Sequence, residues 1–177
     1  MKNKKLIGII ILALIALFII VWYIQPKTPL AALEKGYMGK EESILHYSSL
    51  IEQIDISLDE SLIFYFNGNG NLNCAVAEKK FNRYKIVDVN AELATHREDL
   101  RAGLYGATYN NGSRWMYFGV IYDDAVEKVV WNNIEALRFR AQNIDMFYAN
   151  GIGEFEGQEY YLYDSEGNEL DHHDRVQ

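Results

Sequence analysis

Residues 6–24 form an unbroken apolar run of 19 uncharged residues, a pattern found nowhere else in the chain. As an α-helix rising 1.5 Å per residue, such a run reaches about 28 Å, close to the hydrocarbon thickness of a bilayer. The pattern therefore predicts a transmembrane helix over 6–24, with Trp22 and Tyr23 at the membrane interface and Pro26 stopping the helix. A secretory signal core is shorter and ends in small residues at a cleavage site. Neither feature is present, and no cysteine follows the run to accept lipid, so an uncleaved anchor is expected. Lys2, Lys4 and Lys5 precede the run, whereas Lys27 stands alone within ten residues after it. That bias places residues 1–5 in the cytoplasm and the rest of the chain outside.

Residues 25–29 read as a linker holding both prolines, and Thr28-Pro29 resembles a helix N-cap followed by proline at the first helical position. Leu30, Leu33 and Tyr37 then recur at helical spacing, and Gly36 and Gly39 should end that short helix. Residues 41–51 fit either a second helix or an extended segment. From Ser61 onward the period changes from helical to alternating. Residues 62–66 and 72–77 flank Asn67-Gly68-Asn69-Gly70-Asn71, whose residues tolerate positive φ, and form the clearest hairpin. A strand over 84–89 follows the turn Phe81-Asn82-Arg83, and 90–103 reads as loop or short helix. Further strands are expected at 105–109, 114–122, 126–131, 134–140, 146–148, 159–164 and 168–170, separated by turns such as Asn110-Asn111-Gly112, Asp123-Asp124, Asn132-Asn133 and Ser165-Glu166-Gly167.

The expected class is mainly β: the transmembrane helix, a short juxtamembrane helix, then an antiparallel β-meander closing as a small sandwich or partly open barrel. Residues 30–177 would make one globular domain, a length that buries a core without disulfides or metals. The βαβ alternation of a nucleotide-binding fold is absent.

Charge narrows the partners. The chain holds 17 Lys plus Arg and 25 Asp plus Glu. Removing the three lysines before the span leaves 14 bases against 25 acids outside, a net charge of −11. Such a charge repels nucleic acid and anionic lipid headgroups and favours cationic partners. Cys74 is the sole cysteine, so no internal disulfide is possible, and its place among Leu72, Ala75 and Val76 reads as a small buried hydrophobe on a strand.

Several clusters carry possible chemistry. The amides of residues 67–73 could hydrate a cation, but no Lys and no helix follow the glycines, so a phosphate loop is not matched and a plain turn is expected. Asp164, Glu166 and Glu169 surround Gly167, and Asp123-Asp124 is similar, yet neither spacing is that of a calcium loop. Asp171-His172-His173-Asp174 offers imidazole beside carboxylate, but neighbouring histidines on a strand point to opposite faces, so a frayed polar tail is expected. His46 and His96 are isolated. Rings in 115–118 and 160–163 should fill a small β core, or stack on a sugar or peptide if exposed. Arg138 and Arg140 share one strand face and should form surface ion pairs. No Ser-His-Asp order, Cys-His pair or HExxH appears.

The Lys-rich start, the uncleaved span, and the strand-turn runs 122–129 (YDDAVEKV) and 163–170 (YDSEGNEL) together resemble small single-pass membrane-anchored proteins of Bacillus-type Gram-positive bacteria. The resemblance implies a cell-surface setting and no enzyme activity. The functional expectation is a membrane-anchored extracytoplasmic binding or interaction module. It contacts the bilayer through residues 6–24, meets a protein at the cell surface, and has no cofactor, metal or nucleic-acid partner. The alternative is a cell-surface hydrolase using paired carboxylates.

Overall fold

The computed structural model describes residues 2–37, 47–153 and 159–173, with side chains for all of these except 2–6, 37, 91 and 173. Among the described residues, two helices precede twelve strands. Helix α1 covers Lys2–Tyr23, and the apolar side chains from Ile7 to Tyr23, with Ile24 just past its end, face the outside. Among the residues whose side chains are described, no helix is long and apolar enough to cross a membrane. Helix α2 covers Pro29–Tyr37, and its cap is the one expected: the Ala31 amide donates to Thr28 Oγ1 at 3.1 Å.

The strands make three four-stranded antiparallel sheets. Sheet A is a meander of β1 (Tyr47–Asp55), β2 (Glu60–Asn67), β3 (Leu72–Lys80) and β4 (Arg83–Leu93). Sheet B runs in the order β5 (Ala102–Tyr109), β6 (Arg114–Ile121), β10 (Ile144–Ile152), β9 (Leu137–Ala141). Sheet C runs in the order β12 (Glu169–His173), β11 (Tyr160–Tyr163), β7 (Lys128–Trp131), β8 (Ile134–Glu135).

Three apolar clusters glue the layers in the order α2, A, B, C. Leu33 packs on Ile63, Tyr65, Ala75 and Ala77, the α2 side of sheet A. Leu62, Phe64, Cys74 and Val76 on the other side meet Met116, Phe118, Met146 and Tyr148 of sheet B. The opposite side of sheet B, with Trp115, Tyr117 and Phe147, meets Val129, Trp131, Tyr160 and Leu162 of sheet C. Because A and B are covered on both sides, β2 and β6 are buried almost without alternation. Gly106 makes room for one of these contacts, since a Cβ there would lie 2.5 Å from the Trp131 ring.

A β-rich antiparallel architecture is thus present, but it is not one meander closing as a sandwich or barrel. Only sheet A follows chain order. The expected strand 134–140 is broken at Ala136, where the chain steps from sheet C (β8) to sheet B (β9). A tight turn at Gln142-Asn143, both at positive φ, then returns it into β10, which is far longer than the expected 146–148. Residues 47–51 belong to β1, and 41–46 with His46 lie outside the described residues. The polar stretch after β4 is a loop over 94–101. The tail expected to fray is instead strand β12 as far as His173, with Asp174 outside the described residues.

Candidate functional site

The 94–101 loop, the turn after β6 and Asp171 of β12 line an open groove of 730 Å³. Its walls carry His96, Glu98, Asp99, Asp123, Asp124 and Asp171, of which Asp123, Asp124 and Asp171 are candidates from the sequence. Arginines engage two of these acids. Arg97 donates from Nε and Nη2 to the two Asp99 oxygens at 2.8 and 2.6 Å, and that guanidinium holds the Asp99 carboxyl down at about 2. Arg101 pairs with Asp123, whose other oxygen accepts the Ala125 amide at 2.9 Å. Hydrolysis by paired carboxylates needs one of them held protonated near neutral pH. Asp99 is held in the opposite state. Tyr122 closes the groove floor by donating to the Ala94 carbonyl at 2.6 Å, and burial pushes its hydroxyl above the usual tyrosine range.

The other sequence candidates resolve into structural roles. Asn67, Asn69 and Asn71 each donate a side-chain amide to Glu92 Oε1, at 2.9, 3.2 and 3.2 Å, while Asn67 Oδ1 accepts the backbone amides of Asn69 and Asn71. Three donors converging on one carboxylate lower the Glu92 pKa and leave the turn an anion clamp for its own chain. Asp164 is similarly saturated: Oδ1 accepts the amides of Glu166 and Asn168, and Oδ2 accepts the Asn168 side chain. Among the described residues no group of three His, Cys, Asp or Glu side chains is placed to hold a metal ion. Arg138 reaches Glu127 at 2.9 Å and Asp145 at 3.5 Å, and Arg140 lies 4.0 Å from the same Asp145. These are the ion pairs expected. Cys74 is fully buried.

The rings divide by strand face. Trp115, Tyr117, Phe118 and Tyr160 are core. Tyr161 and Tyr163 turn to the outer face of sheet C, where Tyr161 stacks on His172 at 4.3 Å and 7° and lies 6.4 Å from Tyr163. Lys128 Nζ sits 4.6 Å from the Tyr163 ring centroid and extends the row. Tyr161 and Tyr163 are half-buried and His172 is exposed, so the row forms a surface ladder of flat faces. Pairing of Tyr161 with His172 across β11 and β12 puts both on one side. Reading 171–174 as a tail hid this third ring, although polar alternation through Glu169-Leu170-Asp171-His172 was a signal for a strand.

Fold and sites define a mainly β chain of three stacked antiparallel sheets with an apolar helix at its start. No protein-family model matches it, nor does any curated protein or solved structure.

Proposed function

We propose that the chain is a membrane-anchored extracytoplasmic binding module that meets a protein partner through the outer face of sheet C. The observation that carries this reading is the Tyr163-Tyr161-His172 ladder with Lys128 at its end. Stacked, partly exposed rings offer large contact area at low cost in side-chain entropy, the property that favours aromatics at interfaces. The ladder lies on the layer furthest from α2 in the stack, and the net charge of −11 outside the span favours a partner surface bearing cationic side chains that can sit over tyrosine rings.

Anchoring rests on α1. Its backbone is helical over Lys2–Tyr23, residues 6–24 carry no charge, and its side chains from Ile7 to Ile24 find no protein core to cover them. The lysine bias keeps the N-terminus cytoplasmic. The hydrolase alternative has less support, because the groove acids Asp99 and Asp123 are bound by Arg97 and Arg101.

The test is capture of cross-linked partners from solubilised membranes by the full chain. A Tyr161→Ala, His172→Ala variant should lose the captured protein, and Leu137→Ala, an exposed apolar change on sheet B, should retain it. Equal capture by all three chains removes the ladder from the function.

A further inference from the structure

Among the described residues, the two most exposed large apolar side chains beyond α1 stand at the same end of sheet A. Leu58, in the β1–β2 turn, is 92% exposed, and Phe81, in the β3–β4 turn, is 87% exposed. In an up-and-down meander these alternate turns share an edge, and the Lys79 amide ties them by donating to the Asp59 carbonyl at 2.7 Å. The end of α1 is fastened there too. Arg83 Nε donates to the Trp22 carbonyl at 3.0 Å, its guanidinium carbon lies 4.1 Å from the Trp22 ring centroid, and the Tyr84 amide donates to the Pro26 carbonyl at 2.9 Å.

Phe81 also sits badly for its residue type. The turn Phe81-Asn82 has φ of 51° and 57°, a conformation that the corresponding turns fill with Asn110-Asn111, Asn132-Asn133 and Gln142-Asn143. A bulky ring at positive φ and 87% exposed is a cost to the folded domain in water. Charge at this end runs against the average. Six of the 14 bases beyond the span, Lys27, Lys35, Lys79, Lys80, Arg83 and Lys85, gather around it, against Glu34, Asp59, Glu60 and Glu78, of which Glu78 pairs with Lys80 at 2.9 Å and Glu60 with Arg114 at 3.2 Å. Lys35 and Lys85 line one 350 Å³ pocket with Gln25 and Pro26. Lys27 lies 5.4 Å from the Tyr23 ring centroid.

We propose that the Leu58 and Phe81 turns form a foot that docks on the bilayer holding α1, Phe81 entering the interface while Lys79, Lys80 and Arg83 bind the phosphates of anionic phospholipids. The proposal rests on the anchoring reading above. It revises the expectation that a domain of −11 turns away from anionic headgroups, because screening limits such repulsion to about 10 Å and most of the 25 acids lie elsewhere. An apolar ring beside several lysines, placed at the mouth of a spanning helix, is the composition that gives interfacial anchoring. Two contacts, helix and foot, would hold the domain at one tilt and keep sheet C turned outward.

The test uses the full chain in nanodiscs of phosphatidylcholine alone or mixed with phosphatidylglycerol. In a Cys74→Ala background, an environment-sensitive fluorophore is attached at Phe81→Cys or, as control at the opposite end of sheet A, at Gly68→Cys. The Phe81 label should shift to the blue and be quenched by interface-depth nitroxide lipid in the mixed discs, several-fold more than in neutral discs, and Lys79→Glu with Lys80→Glu should abolish this. The Gly68 label should stay water-like throughout. In parallel, trypsin cleavage of the unmodified chain after Lys79, Lys80 and Arg83 should slow in mixed discs, a readout that does not depend on the labelled variants folding. A water-like Phe81 label on a chain that co-elutes with discs overturns the foot and leaves the anchor standing. Elution apart from discs overturns both, and equal quenching in the two lipid compositions overturns recognition of anionic phospholipid.

Discussion

Arg114 on sheet B reaches Glu60 on sheet A, with Nη1 and Oε2 3.2 Å apart and the Glu60 side chain only 5% exposed. Glu60 Oε2 makes no hydrogen bond and relies on the charge of Arg114. Tyr109, whose hydroxyl is also buried without a hydrogen bond, lies close by; its pKa is pushed up to about 12, first by burial and then by Glu60. Removing the cation would leave a desolvated carboxylate between two sheets, which costs more than the pair contributes. Arg114→Met should therefore destabilise the full chain in detergent by roughly 3 kcal/mol in urea unfolding. Replacing Glu60 by Met as well should restore most of it. A single variant as stable as the parent would show that water reaches Glu60.

Glu92 supplies a pH dependence. The three asparagine amides favour its ionised form and lower its folded pKa, whereas the unfolded chain has no such clamp. The stabilisation is complete above the ordinary glutamate range, near pH 4.5, and is lost as pH falls through the lowered folded value. Melting temperature followed downward from pH 6 should fall less steeply in Glu92→Gln than in the parent. Identical slopes would mean that the clamp is open in solution.

Cys74 gives a direct probe of the core between sheets A and B. Its side chain is fully buried and burial pushes its thiol well above the usual range, so the reactive thiolate is scarce in the folded state. Disulfide reagents should modify it only as fast as the domain opens, and at the rate of a free thiol once urea unfolds the chain. Rapid modification without denaturant would require a gap between Phe64, Met116 and Cys74 that the packing does not contain.

These predictions fall on elements of differing legibility in the sequence. Helix α2 was plain from Thr28-Pro29, and the hairpin over 62–77 from its glycine and asparagine turn, because each is specified by neighbours along the chain. The partition into three sheets was not. Residues 134–140 alternate like one strand, yet Ala136 marks a step between sheets that only long-range packing decides. Strand β6, covered on both sides, loses the alternation that would have reported a solvent face. The site divided the same way: the ion pairs of Arg138 and Arg140 were expected from spacing, whereas the Tyr161–His172 stack needed the register of β11 against β12. The basic end of sheet A stayed hidden because a net charge averages over residues that folding later separates.

Phe81 offers the sharpest separation of stability from function. At φ 51° the ring pays a left-handed backbone penalty of about 1 kcal/mol relative to glycine, and with 87% of its surface exposed it recovers little from packing. Phe81→Gly should thus leave the folded domain as stable or more stable, raising the melting temperature in uncharged detergent by up to several degrees for a domain of this size. The same substitution removes the apolar wedge, so trypsin cleavage after Lys79 and Lys80 in phosphatidylglycerol-containing discs should become as fast as in neutral ones. Opposite movement of the two readouts is what a residue kept for membrane contact requires. A fall in melting temperature with unchanged cleavage would instead make Phe81 a structural part of its turn.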